Sequence, residues 1–450
     1  MTEILTIETH NLFEGYALQL AADFLGTQLR SEARGVISRG PGPRQIPSVE
    51  GYTRASVPKT PDEDLFESVR VPGAPFPFDL FSAIRFWIAD EGNTDGGSAW
   101  DEHDRLIRAG SAQMECGVAE TPVINEYLKL FRAWIEAQFD RSLSPRPARI
   151  VLTHDVDEPI DPTNIRHPLW LMGAALAAGK PRASVGHLRR LPQRIWSRLT
   201  GQKSQHWNFE EIVDLEASHG ARSAFYFAAT PWWAQGASDY DVSYDVRAPQ
   251  FRTMMKSLQS SGAEVGLHLS YNARDNLELL VRERARLEAA CGSEVLGGRH
   301  HYWHMKRPFW DTLRQHERAG LAYDTSVGFN EAPGYRLGIA HPFRPWDPDK
   351  KAVINVLQIP TMLMDGALLY DQEVSETEAI RRAKKLIRAL IASEGTAAID
   401  WHVRTSWPGS SRFARWARVY AEILSFLAAE PGVTVCTPSQ ILATAPLAGH

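Results

Sequence analysis

Short apolar runs alternate with amphipathic segments through the last two thirds of the chain. Runs rich in β-branched and aromatic residues predict strands at 149–153, 223–228, 263–269, 295–298, 321–325, 355–359, 396–401 and 433–436. Apolar residues at helical spacing predict the intervening helices at 208–219, 249–261, 274–290, 308–319, 377–393 and 412–429. This alternation is typical of parallel βαβ units, and seven or eight strands favour an α/β fold with a distorted (β/α)7-8 barrel.

The pattern before residue 148 is different. Short helical patterns alternate there with Gly/Pro-rich joints such as 39–43 and 71–75, and helical spacing is clearest at 77–89 and 123–139. The change follows Pro145-Arg146-Pro147, so we predict an α/β accessory domain over 1–147 and a barrel domain over 148–450. An acidic cluster at 101–104, Asp-Glu-His-Asp, could bind metal, but a solvated loop is the preferred interpretation.

One segment interrupts the barrel pattern. Residues 162–207 contain eight Lys or Arg residues and no Asp or Glu, with Leu, Ile and Trp between them. This basic amphipathic insertion is either solvated on the barrel, which we favour, or lies on an anionic membrane surface. The longest apolar run, 169–178, is half of the roughly 20 residues that a membrane-spanning helix needs.

Composition narrows the class of protein. The 450 residues include 49 Lys and Arg against 54 Asp and Glu. Because the chain has no excess of basic residues, we expect no nucleic-acid partner. Three widely spaced cysteines form neither a disulfide framework nor a cysteine zinc site. The N-terminus lacks the pattern of a secretory signal, so we expect a cytoplasmic protein, with contact at the inner face of the membrane as a further hypothesis.

Candidate chemistry begins where the first barrel strand ends. The strand at 149–153 leads directly to Asp155 and Asp157, and in parallel barrels the active site lies at the carboxyl ends of the strands. In extended backbone, side chains two residues apart point the same way. Two neighbouring carboxylates repel each other unless a proton or cation lies between them, which favours a divalent metal.

Three later strands also end in polar residues. They supply His268, the pair Arg299 and His301, and the pair Asp400 and His402. A single histidine at a strand end is more often structural, but the joint pattern is harder to obtain by chance. If the barrel closes, these side chains suit a Zn²⁺ site, or one for a similar ion, with three protein ligands and an open position for water.

Four motifs resemble those of the metal-dependent polysaccharide deacetylases with the NodB-homology fold. The T-H-D-V-D at 153–157 is similar to the family's T-F-D-D, which implies Asp155 as catalytic base, with the metal-binding Asp displaced by one residue to Asp157. The E-V-G-L-H at 264–268 is similar to the strand before H-[ST]-x-x-H, which implies His268 as a ligand. Asn272 stands where the second histidine is expected.

The R-H-H-Y at 299–302 is similar to the family's R-x-P-Y. This implies that Arg299 orients the base and that a backbone N–H at Tyr302 helps to hold the oxyanion, while His301 is the candidate replacement ligand. The I-D-W-H at 399–402 is similar to the last motif and implies His402 as general acid. The sequences at 320–326 and 334–338 are similar to those of a subgroup with an H-D-V-D first motif. This subgroup is similar to cytoplasmic bacterial proteins associated with surface-polysaccharide synthesis.

The resemblance covers about residues 148–440 and implies a metal-dependent hydrolase. Its substrate would be an N-acetyl or O-acetyl group on a sugar of a bacterial surface polysaccharide or its precursor. It implies one divalent ion, Zn²⁺ first and Mn²⁺, Fe²⁺ or Co²⁺ as alternatives, held by Asp157, His268 and His301. Candidate substrate contacts are Arg336, Trp303 and Trp401, although Arg336 could equally brace Asp324 or another loop acid, and aromatic residues are usually core.

Other functions stay open. The same fold hosts hydrolases of other non-peptide C–N bonds, and Asn272 in place of a histidine leaves room for a catalytically silent glycan-binding module. A metal-free glycoside hydrolase using Asp155 and Asp157 would leave the converging histidines unexplained.

Overall fold

The structure is a computed structural model. It describes residues 5–9, 11–26, 29–33, 60–93, 99–159, 206–369, 374–407, 409 and 413–445, with four isolated residues between 160 and 205. The basic insertion predicted over 162–207 lies outside these residues, apart from its last two positions and the four isolated ones.

The N-terminal part is mainly helical. Side-chain caps begin most of its described helices: Asn11 accepts from the N–H of Glu14, and Asp79 accepts from that of Ser82. The helices predicted at 77–89 and 123–139 are present as Leu80–Ile88 and Val123–Phe139, whereas the two parallel strands of this part were not predicted. The elements are β1 (Leu5–Thr9), α1 (Leu12–Leu25), β2 (Leu29–Ala33), α2 (Glu63–Val69), α3 (Leu80–Ile88), α4 (Ala112–Glu115) and α5 (Val123–Phe139).

The part after residue 147 follows the predicted alternation of strands and helices, interrupted by a short antiparallel pair of strands at 346–353. Its elements are β3 (Ala148–Val156), α6 (Phe209–Ser218), β4 (Ala224–Ala228), α7 (Pro249–Ser260), β5 (Glu264–Leu269), α8 (Leu277–Cys291), β6 (Gly297–His300), α9 (Trp310–Arg318), β7 (Tyr323–Asp324), β8 (Trp346–Asp347), β9 (Ala352–Val353), β10 (Leu357–Gln358), β11 (Thr361–Met364), α10 (Asp365–Leu369), α11 (Glu376–Ala392), β12 (Thr396–Asp400), α12 (Ala414–Ala429), β13 (Val433–Cys436) and α13 (Pro438–Thr444).

Nine of these strands form one curled parallel sheet. The order is β10-β7-β6-β5-β4-β3-β12-β11, with β13 added against β3. The two ends of this path, β10 and β11, belong to one segment at 357–364, which pairs with β7 and then with β12. The sheet therefore closes into a distorted barrel, and the predicted α/β fold class is confirmed. The prediction missed β11 because Pro360 interrupts the strand pattern.

Strand β3 lies at the centre of this sheet. It pairs with β12 along one edge, and on the other with β13 near its start and β4 near its end. Nearly all its residues are buried, which explains its continuous apolar run. Nearby, a side chain at Gly298 would collide with the backbone of Leu267, so glycine lets β6 approach β5 closely. This brings Arg299 beside His268 in register.

The two parts of the chain share one apolar cluster. Side chains of α1, α3 and α5 pack with Phe309, Leu337, Ile339 and Phe343 from the barrel part. The division into domains at 147/148 stays a prediction. None of the described helices combines the length and the apolar character needed to cross a membrane. As expected, all three cysteines are free.

Candidate active site

Asp157, His268 and His301 form a compact group at the carboxyl ends of β3, β5 and β6. Asp157 Oδ1 lies 3.2 Å from His268 Nε2 and 3.6 Å from His301 Nε2. Each residue offers a ligand atom, and these atoms lie within 4.8 Å of one another. Within the described chain, Asp157 Oδ1 and His268 Nε2 are buried without a hydrogen-bond partner. Buried polar atoms are normally paired, so this group fits a bound cation.

A neighbouring carbonyl orients the His268 imidazole, and a carboxylate lies near that of His301. His268 Nδ1 donates to the carbonyl of Arg299 at 3.0 Å, which directs Nε2 towards Asp157. On His301, Nδ1 lies 3.9 Å from Asp241, whose carboxylate accepts the backbone N–H of Tyr271. Burial would lower the pKa of His268, but the nearby carboxylates raise it above its usual value, so protons would compete with a metal for this nitrogen.

Asp155 lies deeper, against a buried arginine. Arg299 Nη1 donates to Asp155 Oδ1 at 3.0 Å, while Arg299 Nε donates to the carbonyl of Thr325 and Nη2 donates to Thr361 Oγ1. Burial alone would raise the pKa of Asp155, but His268 and Arg299 lower it more, so it lies below its ordinary value. Asp155 is therefore ionised at neutral pH and fixed in orientation.

His154, the residue before Asp155 in β3, points away from the pocket. Its Nε2 lies 2.7 Å from Glu216, which also accepts from Tyr420 and Ser223. This buried network anchors the strand on its core face. It leaves Asp155 and Asp157 on the pocket face, as the two-residue period of a strand requires.

His402 is paired with an aspartate that the sequence did not indicate. Its Nδ1 lies 2.9 Å from Asp365 Oδ1, and Asp365 also accepts from the His402 backbone N–H and from Thr405. His402 Nε2 lies 3.2 Å from Asp157 Oδ2. Burial lowers the pKa of His402, but Asp365 and Asp157 raise it well above the usual value. Asp365 was missed because it follows the unpredicted strand β11.

Two more charged residues complete the pocket. Arg404 Nη1 lies 2.6 Å from Asp157 Oδ2, and no motif indicated it. Asp400 is fully buried with one oxygen 2.9 Å from Arg299 Nη1, and burial raises its pKa to about 7. Ligand atoms of Asp155, Asp400 and His402 also lie within 4.8 Å of one another. Base and acid candidates therefore share one pocket.

Several predicted site residues lie elsewhere. Asn272 is exposed and donates to the carbonyl of Gly236 at 3.0 Å. The residue that joins Asp157 and His268 is His301, not Asn272. Trp401 is fully buried and stacks on Tyr420, which leaves no face for a sugar and corrects that expectation.

The other two substrate candidates are also occupied by protein contacts. Trp303 is 5% exposed, with the Arg299 guanidinium 5.6 Å from its ring. Arg336 pairs with Asp90 at 3.2 Å, so it braces a loop acid, as the alternative reading expected, although the acid is not Asp324.

A cluster of tyrosines borders the pocket instead. The rings of Tyr240 and Tyr271 are 4.7 Å apart, Tyr240 and Tyr302 are 5.3 Å apart, and Tyr302 lies 4.8 Å from His301. Tyr240 is 48% exposed. His103, from the acidic cluster at 101–104, packs against Tyr302, and its Nδ1 lies 2.8 Å from the Tyr271 hydroxyl. In the segment 101–104, His103 is therefore a buried brace, while Asp101 and Asp104 pair with Arg105 and Arg274.

Comparisons with known proteins give distant likenesses of fold. No protein-family model matches the chain, and no curated protein matches it. A solved structure from Mycobacterium smegmatis named "putative polysaccharide deacetylase" is 16% identical, with a TM-score of 0.43 over 68% of this chain and 92% of its own. A 4-alpha-glucanotransferase from Thermococcus litoralis is 13% identical, with a TM-score of 0.38 over 66% of this chain and 40% of its own.

Proposed function

We propose that the protein is a metal-dependent hydrolase that removes an acetyl group from an acetylated sugar. The observation that carries this proposal is that the Asp157, His268 and His301 group lies beside two paired catalytic candidates. These are Asp155, paired with Arg299, and His402, paired with Asp365. Base, acid and ligand set are the components that acyl hydrolysis requires.

One carboxylate and two imidazoles would hold a single divalent ion, with Zn²⁺ preferred and Mn²⁺, Fe²⁺ or Co²⁺ as alternatives. When bound, such an ion lowers the pKa of water and polarises an acyl carbonyl. The unpartnered Asp157 Oδ1 and His268 Nε2 support this assignment because both face the centre of the group.

The chain's own residues then move the protons. Asp155, ionised and held through Oδ1 by Arg299, keeps Oδ2 for the proton of the attacking water. His402 directs Nδ1 to Asp365, which favours the imidazolium and leaves Nε2–H towards the pocket. It gives that proton to the leaving amine or alcohol. The backbone N–H of Tyr302 is our candidate for holding the oxyanion.

The substrate would be a glycan. The rings of Tyr240, Tyr271 and Tyr302 offer half-exposed apolar faces beside His301, on which a sugar ring can stack. His103 joins this wall from the N-terminal part of the chain. We extend the proposal to the H-D-V-D subgroup and to bacterial surface polysaccharides or their precursors.

Acetate release from N-acetylated chito-oligosaccharides and O-acetylated sugars tests this proposal. We expect release that stops after chelation and returns with Zn²⁺, and that falls ~10²–10⁴-fold in Asp155→Asn. Asn272→Ala, outside the ligand group, is the matched control and should keep full activity. Release that survives both chelation and Asp155→Asn would contradict the proposal. Saturable glycan binding with no hydrolysis would favour the silent binding module.

A further inference from the structure

A second cavity lies at the opposite end of the barrel from the candidate active site. Its volume is about 160 Å³, and it is lined by residues at the start of β3, β10 and β12 together with residues of α1 and α13. The catalytic candidates follow the carboxyl ends of the strands, whereas this cavity opens at their amino ends. Its charged lining residues are Asp23, Arg146, Arg149, Arg344 and Glu394.

Positive charge exceeds negative charge in this lining. Arg132, outside the cavity, holds both oxygens of Glu394 at 2.5 Å and so balances its charge. Arg149 donates only to the neutral Thr444 hydroxyl, at 2.9 Å, among the described residues. Over the same residues, the Arg146 guanidinium makes no hydrogen bond and no ion pair within 4.0 Å. Among the described lining residues, Asp23 is thus the acid left to face Arg146.

The protein environment disfavours this crowding of cations. Burial lowers the pKa of Arg146, and the neighbouring Arg149 lowers it further. Burial also lowers the pKa of Arg344, and it raises that of Asp23 to about 6, which weakens the negative charge of Asp23 near neutral pH. Half-buried guanidinium groups in this arrangement are stabilised when an anion lies between them.

We propose that this cavity binds the phosphate group of a small molecule. Arginine forks match the oxygens of a tetrahedral phosphate, and three of them line one small cavity. Leu357 and Ile441 form part of the remaining wall and leave an apolar surface beside the phosphate position. The site is independent of the proposed metal centre.

Isothermal titration of the full chain with orthophosphate, in a phosphate-free buffer at low salt, tests the proposal. We expect one saturable site whose affinity falls at least ~10-fold in Arg146→Gln and in Arg344→Gln, with thermal stabilisation by phosphate reduced in parallel. Arg146 has no described side-chain partner, so its variant should fold. Arg381→Gln, in a separate basic cluster on α11, is the matched control and should bind as the wild type does.

A second titration, with glucose 6-phosphate, identifies the source of the phosphate. Tighter binding than orthophosphate assigns the site to a phosphorylated sugar, and equal binding assigns it to the free ion. His268→Ala should bind phosphate unchanged, because the metal centre lies at the other end of the barrel. No binding up to ~10 mM, equal binding by Arg146→Gln and wild type, or binding lost in His268→Ala would each overturn the proposal.

Discussion

Replacing Arg299 by Met tests whether the site depends on one buried cation. Arg299 is 0% exposed and lies between two buried carboxylates, with Asp155 at 3.0 Å and Asp400 at 2.9 Å. Methionine fills much of the volume but removes the charge. Both carboxylates would then remain in the core without their counter-ion.

The size of the effect follows from burial and from the two ion pairs. Removing one partner of a buried pair typically costs ~3–5 kcal/mol. Asp400, with a pKa of about 7, can take up a proton and so limit its share of the loss. We expect Arg299→Met to lower the free energy of unfolding by ~4 kcal/mol at neutral pH. In an Asp400→Asn background only Asp155 is left uncompensated, so the loss should be ~2 kcal/mol smaller.

Urea unfolding of the wild type, both single variants and the double variant gives this coupling energy directly. A loss below ~1 kcal/mol in Arg299→Met would show that the cation is not needed in the core. Equal losses in the two backgrounds would show that Arg299 and Asp400 do not interact, and either result would refute the reasoning.

Three further variants test separate parts of the account. His341 is buried, and this burial, together with the charges of Arg146 and Arg149, lowers its pKa from the usual 6.5 to about 3. Below about pH 6.5 the unfolded chain therefore binds a proton that the folded chain does not, and stability falls as pH drops. At ~1.4 kcal/mol per pH unit, the free energy of unfolding is ~2 kcal/mol lower at pH 5. Urea titrations in phosphate-free buffer should show that His341→Phe reduces this loss, and an unchanged pH slope would contradict the low pKa of His341. Asp365→Asn should lower the pKa of His402 and move the alkaline limb of the activity profile to lower pH, with kcat reduced ~10²-fold; an unmoved limb would exclude His402 as the acid. Tyr240→Ala should raise KM for chito-oligosaccharides ~2–10-fold with little change in kcat, and an unaltered KM would remove Tyr240 from the substrate wall.

The barrel was predictable because the sequences of buried parallel strands contain continuous apolar runs. The polar residues that end β3 and β12 were found for the same reason, since each follows such a run directly. The helix α1 was missed because it is buried on most sides, which removes the one-sided stripe that marks a surface helix.

The partners of the predicted residues were harder to find. Asp365 follows a strand of four residues beside a proline, and Arg404 lies in a 3-10 helix of three residues, so both elements are too short to give a periodic signal. Trp401 and Arg336 were assigned to substrate from residue type alone. The fold instead directs Trp401 into the core and pairs Arg336 with Asp90, which only the tertiary contacts show.

Elemental analysis of the purified protein decides whether the metal centre exists. We expect about one Zn²⁺ or similar ion per chain in the wild type and in Asn272→Ala, and its loss in His301→Ala. Absence of metal from all three proteins, even after reconstitution, would exclude this metal centre, as would metal retained in His301→Ala and lost in Asn272→Ala.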